Sequence, residues 1–584
     1  MKSYSLASAA ATAFAGAALL VSSVKADVDP IVIKGSHFFY KTNGTEFFIK
    51  GVAYQQEALA NGTESTTTDF TDPLADVDSC TRDIPLLAEL GTNVVRVYAI
   101  DPKKDHSKTP SSATSRNGPP TFSRAIPLLA ELGTNVVRVY AIDPKKDHSK
   151  CMTLLEEAGI YVIQDLSNPQ NSIIRDQPEW TTDIFEGYAA VIDEMSQYTN
   201  TLGFFAGNEV SNQANNTNAS AFVKASVRDS KAYIKAKGYR AIGVGYATND
   251  DAEIRDDLAD YFNCGKAEES IDFWGYNIYS WCGQSSFQKS GYDVRTKEFE
   301  TYNVPAFFAE YGCNEPSPRV FTEVEAIYGP QMTGVWSGGI VYMYFQEANN
   351  YGLVEVKGDS VSKLPDFKVL ASQVAKAKPS GTSMADYTPK NTAARACPKV
   401  DDGWAASSTL PPIANAKVCD CMTKSLSCVA KSGLKGKDIA TQFNYLCGLD
   451  PASCNGINAN ATTGKYGAYS MCSAQQKLSF AFDQYYQSQG SKDTACDFSG
   501  TAETQSGSTE GDCSSLIEAA GKDGSGTVTD VPTDGSTGTD GSDGSQTSDN
   551  AAVGSMIPRF EVGALSMGSY VVAAVFAGMG MVLL

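Results

Sequence analysis

From residue 27 to about residue 395 this chain alternates short apolar runs with amphipathic stretches, and that alternation points to a parallel α/β fold. Eight runs of strand length stand out: Phe47–Tyr54, Asn135–Tyr140, Tyr161–Asp165, Leu202–Asn208, Arg240–Tyr246, Asp272–Asn277, Ala306–Glu310 and Gly339–Phe345. Between them, Asp183–Gln197 and Ala219–Lys237 carry apolar residues at helical spacing. Eight strand–helix units in this length predict a closed (β/α)8 TIM barrel rather than an open sheet.

Two of the runs meet a glutamate: Gly203-Phe204-Phe205-Ala206-Gly207-Asn208-Glu209 and Ala306-Phe307-Phe308-Ala309-Glu310-Tyr311-Gly312. A carboxylate at the C-terminal end of a buried parallel strand lies at the mouth of a barrel, where catalytic groups collect. Two such acids, one a proton donor and one a nucleophile, suffice to break a glycosidic bond with retention, and retention asks for carboxyl groups about 5–5.5 Å apart. The plainer alternative is that both acids cap strands and face solvent.

The strand count is complicated by a repeat. Residues 84–108 (IPLLAELGTNVVRVYAIDPKKDHSK) recur unchanged as 126–150, an offset of 42 residues. Solenoid repeats diverge and recur several times; a single perfect copy reads as a recent duplication or a gene-model error. With eight strands in the closure, one copy is expected to form the strand and the other to bulge out or remain poorly ordered. Asn135–Tyr140 is favoured because it runs directly into Cys151, although Cys80 leads just as directly into the first copy.

Formal charge is −20, which argues against nucleic acid or an anionic membrane surface as partner. The three histidines, His37, His106 and His148, form no ligand-spaced cluster, so neither a metal nor another cofactor is expected. Lys2, an apolar Ala-rich run and Val24-Lys25-Ala26 read as a secretory signal, residues 1–26. At the other end the uncharged stretch Gly563–Leu584 follows a polar tract and the small-residue set Asn550-Ala551-Ala552. This reads as a GPI signal, residues 551–584, with attachment at Asn550 and with Gly554 or Ser555 as alternatives. A tail-anchoring helix is the competing reading. The chain is thus expected outside the cell, held to the outer face of the plasma membrane or to the wall.

Fourteen cysteines in a secreted chain imply disulfides, and eight of them crowd between Cys419 and Cys513. Residues 396–513 therefore read as a small, disulfide-rich, mostly helical domain, followed by a Ser/Thr/Gly-rich linker over 514–550. Sequons at Asn43, Asn61, Asn215, Asn218 and Asn460 fit a glycosylated exterior.

The strings Gly51-Val52-Ala53-Tyr54-Gln55, Arg138-Val139-Tyr140-Ala141-Ile142-Asp143-Pro144, Asp165-Leu166-Ser167, Gly207-Asn208-Glu209 and Ala309-Glu310-Tyr311-Gly312-Cys313 resemble the fungal β-1,3-glucanosyltransferases of glycoside hydrolase family 72. The resemblance covers nearly the whole chain, and the duplicated segment is its one departure. It implies Glu209 as acid/base, Glu310 as nucleophile, and sugar contacts at Gln55, Tyr140, Asp165, Asn208, Tyr279, Tyr342 and Tyr351, with Tyr98 able to replace Tyr140. Glu310 then needs hydrogen-bond donors to stay ionised, a part suited to Tyr279. Glu209 must hold its proton until it meets the leaving oxygen, aided by apolar walls or the neighbouring acid. For Tyr342 ordinary core packing is the alternative.

Further implications of the resemblance are the pairs Cys80–Cys151, Cys264–Cys397 and Cys282–Cys313. The later cysteines resemble those of a family 43 carbohydrate-binding module, which implies Cys419–Cys472, Cys421–Cys513, Cys428–Cys496 and Cys447–Cys454. The activity implied is transfer: an internal β-1,3 bond of a donor glucan is cleaved and the retained fragment passes to an acceptor glucan. A retaining endo-β-1,3-glucanase and a non-catalytic glucan-binding wall protein are the alternatives.

Overall fold

The computed structural model describes residues 28–54, 72–91, 94–97, 136–139, 143–168, 171–358, 360–509 and 511–528. A hairpin of β1 (Ile31–Lys34) and β2 (His37–Tyr40) leads into β3 (Ile49–Val52), the first strand of a closed parallel barrel. The barrel continues in chain order through β4 (Val94–Val97), β5 (Val136–Val139), β6 (Tyr161–Asp165), β7 (Thr201–Asn208), β8 (Gly243–Thr248), β9 (Phe273–Asn277), β10 (Ala306–Tyr311) and β11 (Trp336–Val341). Closure comes where β11 pairs with β3, Val341 opposite Val52. At Gly338 φ is +95°, and a Cβ there would lie 2.1 Å from the Ile49 carbonyl oxygen. Only glycine lets the two strands meet at that point.

Helices α1 (Val77–Glu89), α2 (Ser149–Glu157), α3 (Thr182–Ser196), α4 (Ala219–Ala236), α5 (Arg255–Asn263), α6 (Tyr292–Phe299), α7 (Glu323–Ile327) and α8 (Pro365–Lys376) accompany the strands. The Thr181 hydroxyl caps α3 by accepting from the Ile184 amide, as helix N-termini require. Two buried clusters result. One lies between sheet and helices; the other fills the barrel with Ile163, Phe205, Ala247, Phe273, Phe307 and Ile340. Phe38 of the hairpin packs at 6.2 and 6.3 Å between ring centroids on Phe273 and Phe307, early in their strands. The N-terminal end of the barrel is thereby plugged, and chemistry is left to the opposite end.

The parallel barrel is the expected architecture, and its strand number differs in one respect. Both copies of the repeat supply a strand, giving nine among the described residues, where one copy was expected to do so. Gly51 and Val52 of β3 pair with Val94 and Val95 of β4, and β5 pairs with β6 from Val136↔Tyr161 to Val139↔Gln164. Between the copies, Arg96 lies opposite Arg138 and Val97 opposite Val139, the same residue of each repeat. The physical reason is local. Identical segments present identical backbone donors and acceptors, which an exposed loop would leave without ladder partners. In addition, a disulfide joins Cys80 of α1 to Cys151 of α2, so the helix before β4 and the helix after β5 are clipped together.

The Cys-rich region folds as α9 (Ala416–Ser425), α10 (Gly436–Leu449), α11 (Ala474–Ser488) and α12 (Cys513–Ala520), with Cys428–Ala430 and Ala502–Thr504 paired as short antiparallel strands. Disulfides join Cys419 to Cys472, Cys421 to Cys513, Cys428 to Cys496 and Cys447 to Cys454, while Cys264–Cys397 and Cys282–Cys313 serve the barrel. The region rests on α3 and α4. The Thr182 amide donates to the Met471 carbonyl at 2.8 Å, Lys477 meets Glu179 at 2.7 Å, and the Ala414 amide donates to Asp229, which also accepts from the Trp180 indole. One boundary moves: Leu516, Ile517, Ala520 and Val528 are buried in this region's core, so packed structure runs past residue 513, where the linker was expected to begin. The tail 563–584 lies outside the described residues; among those described, no helix is long and apolar enough to cross a membrane.

Candidate active site

Both strands that carry the glutamates lose strict alternation near their C-terminal ends. The pairing of β7 with β8 shifts between Phe205 and Asn208, and that of β10 with β9 shifts between Phe308 and Glu310. Such irregularities re-aim side chains where a regular pleat would not. Glu209 goes further: its φ is +50°, a left-handed conformation that a non-glycine residue holds only when its surroundings enforce it. The enforcing contacts are its amide donating to the Ala247 carbonyl at 2.9 Å and Arg175 Nη2 donating to its carbonyl at 2.6 Å.

Strand β9 supplies a partner to each acid. Asn277, its last residue, donates from Nδ2 to Glu209 Oε1 at 2.7 Å and to Asn208 Oδ1 at 3.2 Å. Two residues on, the Tyr279 hydroxyl donates to Glu310 Oε2 at 2.6 Å. Glu310 is only 7% exposed, and burial pushes its carboxyl up to about 8. The Tyr279 donor works the other way, since a hydrogen bond to the charged form favours ionisation. The donor expected for Glu310 is therefore present, in competition with burial.

Around Glu310 stand three tyrosines in edge-to-face contact: Tyr279 with Tyr342 at 6.4 Å, Tyr279 with Tyr351 at 5.8 Å, and Tyr342 with Tyr351 at 5.3 Å. Tyr342 and Tyr351 are partly exposed, so they are not simply core rings. Arg319, buried to 2% exposure, holds their backbone: Nη1 donates to the Tyr342 carbonyl at 2.5 Å and Nη2 to the Tyr351 carbonyl at 2.6 Å, while Nε is paired with Asp366. The Cys282–Cys313 disulfide ties the loop after Tyr279 to the chain just beyond β10. Ring faces for a sugar's C–H surface, hydroxyls for its rim and two acids at one barrel end make up a site suited to carbohydrate.

The structure brings Asn208, Glu209, Tyr279, Glu310, Tyr342 and Tyr351 to the C-terminal end of the barrel, with Asp165 buried at the end of β6. Gln55, Tyr140, Asn61 and Asn550 lie outside the described residues. Of the other sequons, Asn43, Asn215 and Asn460 are exposed and Asn218 is half-buried. Among the described residues no group of three or more His, Cys, Asp or Glu side chains could hold a metal ion. Asn277, Arg319 and Arg175 were not singled out from sequence. For Asn277 a signal existed, because Tyr276-Asn277-Ile278-Tyr279 ends an apolar run on polar groups just as Asn208-Glu209 does.

Comparison with known proteins agrees with this geometry. The family model described as Glucanosyltransferase matches residues 20–118 and 112–378, each match taking in one copy of the repeat, and the X8 domain matches residues 426–503. A 1,3-beta-glucanosyltransferase of Arthroderma benhamiae is 53% identical over 589 residues, covering 98% of this chain and 99% of the relative. The 1,3-beta-glucanosyltransferase gas1 of Schizosaccharomyces pombe is 43% identical, covering 86% and 84%. Among solved structures, a Glu-to-Gln mutant of Saccharomyces cerevisiae Gas2p in complex with laminaritetraose and laminaripentaose superposes with a TM-score of 0.68. It is 40% identical and covers 84% of this chain and 98% of that one.

Proposed function

The chain belongs to the glucanosyltransferase family, glycoside hydrolase family 72, and from that membership we propose that it is a retaining 1,3-β-glucanosyltransferase acting on β-1,3-glucan. The observation that carries this reading is the pairing of two acids at one barrel end, each held by a donor from the end of β9. In the first half of the reaction a Glu310 carboxylate oxygen attacks the anomeric carbon. The glycosidic C–O bond breaks, and the Glu209 proton passes to the leaving oxygen. Esterification removes the Glu310 charge. In the second half Glu209, now ionised, takes the proton of an acceptor sugar hydroxyl, whose oxygen attacks the anomeric carbon and releases Glu310 as carboxylate.

Sugar contacts fall to Gln55, Tyr140, Asp165, Asn208, Tyr279, Tyr342 and Tyr351. For transfer to exceed hydrolysis, the acceptor side must bind a sugar better than it admits water, and the edge-to-face cluster of Tyr279, Tyr342 and Tyr351 does this by flanking the ester with ring surface. The Cys-rich module braces α3 and α4 and offers a second surface to glucan. Residues 1–26 direct secretion, and residues 551–584 are exchanged for a GPI anchor at Asn550, placing the enzyme at the cell surface among wall glucans.

Incubation with reduced laminari-oligosaccharides tests the activity. Products longer than the starting chain are expected; products that are only shorter would make the enzyme an endo-β-1,3-glucanase.

A further inference from the structure

Asn277 is 3% exposed, belongs to β9, and reaches across β8 to the end of β7. Its Nδ2 donates to Glu209 Oε1 at 2.7 Å and to Asn208 Oδ1 at 3.2 Å, while its Oδ1 is buried without a hydrogen-bond partner among the described residues. Buried polar atoms are rarely left unpaired, and exceptions concentrate where function fixes a geometry. Turning the amide over would not relieve the cost, because its oxygen would then face the Asn208 Oδ1 acceptor. The amide is thus oriented by what its nitrogen serves. The same residue stands in register with Glu310 on the neighbouring strand, so one position relates both acids.

Resting on the reading of Glu209 as acid/base, we propose that Asn277 is a positioning residue for Glu209, whose N–H fixes the orientation of the carboxyl. The backbone of Glu209 is pinned from β8 and from Arg175; Asn277 adds the hold on the side chain. An amide is suited to this task because it neither gives nor takes a proton in this pH range and so does not compete with Glu209 for its role.

Asn277→Ala removes this donor and leaves the backbone contacts of Glu209 with Ala247 and Arg175 in place. At the optimum kcat falls about 10- to 100-fold with KM little changed, because the carboxyl is less well placed in the transition state. Asn277→Asp keeps the shape but loses the N–H donor; it too lowers kcat with KM little changed and keeps the proposal testable if the alanine variant fails to fold. Wild type, both variants and Glu209→Gln are assayed on laminari-oligosaccharides, with folding checked by thermal unfolding. A wild-type kcat in folded Asn277→Ala or Asn277→Asp, or a loss carried by KM instead of kcat, while Glu209→Gln is dead, would overturn the proposal alone. An inert wild type, or an active Glu209→Gln, would overturn the acid/base reading and the proposal with it.

Discussion

Burial and chemistry act in opposite directions on Glu310. Its carboxyl is raised from 4.5 to about 8 by desolvation, yet the nucleophile role proposed for it needs the ionised form that the Tyr279 hydroxyl favours. The consequence for stability has a definite sign. Between about pH 4.5 and 8 the folded chain holds a proton at this site that the unfolded chain has released, so stability falls as pH rises through that window and levels off above it. Glu310→Gln removes the titration. Expected is a variant with no turnover and a flatter stability profile, more stable than wild type at pH 8 by about 2–4 kcal/mol. Thermal midpoints at pH 5 and pH 8, with rates on laminari-oligosaccharides, check this; parallel pH profiles would contradict the stability argument, and retained turnover the role. The two acids were legible in the sequence because each interrupts an apolar run with a charge. Asn277 and Arg319 were not, because their importance lies in contacts across strands and loops that local pattern does not encode.

Regular elements were read closely from periodicity. The expected helices 183–197 and 219–237 are Thr182–Ser196 and Ala219–Ala236, and the strand at Tyr161–Asp165 has the expected bounds. Less legible were elements defined by tertiary contact: the last strand was read as Gly339–Phe345 and runs Trp336–Val341, and α12 occupies what was read as linker. A buried ion cluster shows how such elements are held. His148, just before α2, has Nε2 3.0 Å from Asp72 Oδ2 and Nδ1 3.0 Å from Glu194 Oε1 of α3. Burial pulls the imidazole down, but the hydrogen bonds to Asp72 and Glu194 outweigh it and hold it up at about 9. The stabilisation is therefore fully present below about pH 6.5 and lost as pH rises through 9. His148→Gln should cost about 3 kcal/mol at pH 6, since it leaves two acids without their cation. By pH 9.5 the difference should narrow markedly. Urea midpoints at the two pH values measure it, and a pH-independent loss would show that His148 acts by shape alone.

A nine-stranded closure was beyond sequence reading because strand number is settled by the whole ring. Its geometry nonetheless says how much the extra strand matters. Barrel size depends on strand number and on the total stagger around the ring. Arg96 faces Arg138 and Val97 faces Val139, which are equivalent residues of the two copies, so the junction between β4 and β5 adds a strand and no stagger. The outer pairings are compatible as well: β3 meets its neighbour at Val94, and β6 meets its neighbour at Val136, the equivalent position. One strand could satisfy both. Deleting residues 84–125 or residues 109–150 yields the same shortened chain, because the copies are identical. That chain keeps α1 leading into the strand and the strand leading into Cys151. The Cys80–Cys151 disulfide, now closing a separation of 71 residues, would close one shorter by the 42 of the repeat, losing about 0.8 kcal/mol of its effect on the unfolded state. Against this stands the ordering cost of the four residues Val94–Val97, about 1–2 kcal/mol each, offset in part by the ladder they form. The deletion is therefore expected to keep or raise the thermal midpoint and to keep transfer on laminari-oligosaccharides. A deleted chain that fails to fold, or folds without activity, would mean that the ninth strand has become part of the barrel this enzyme needs.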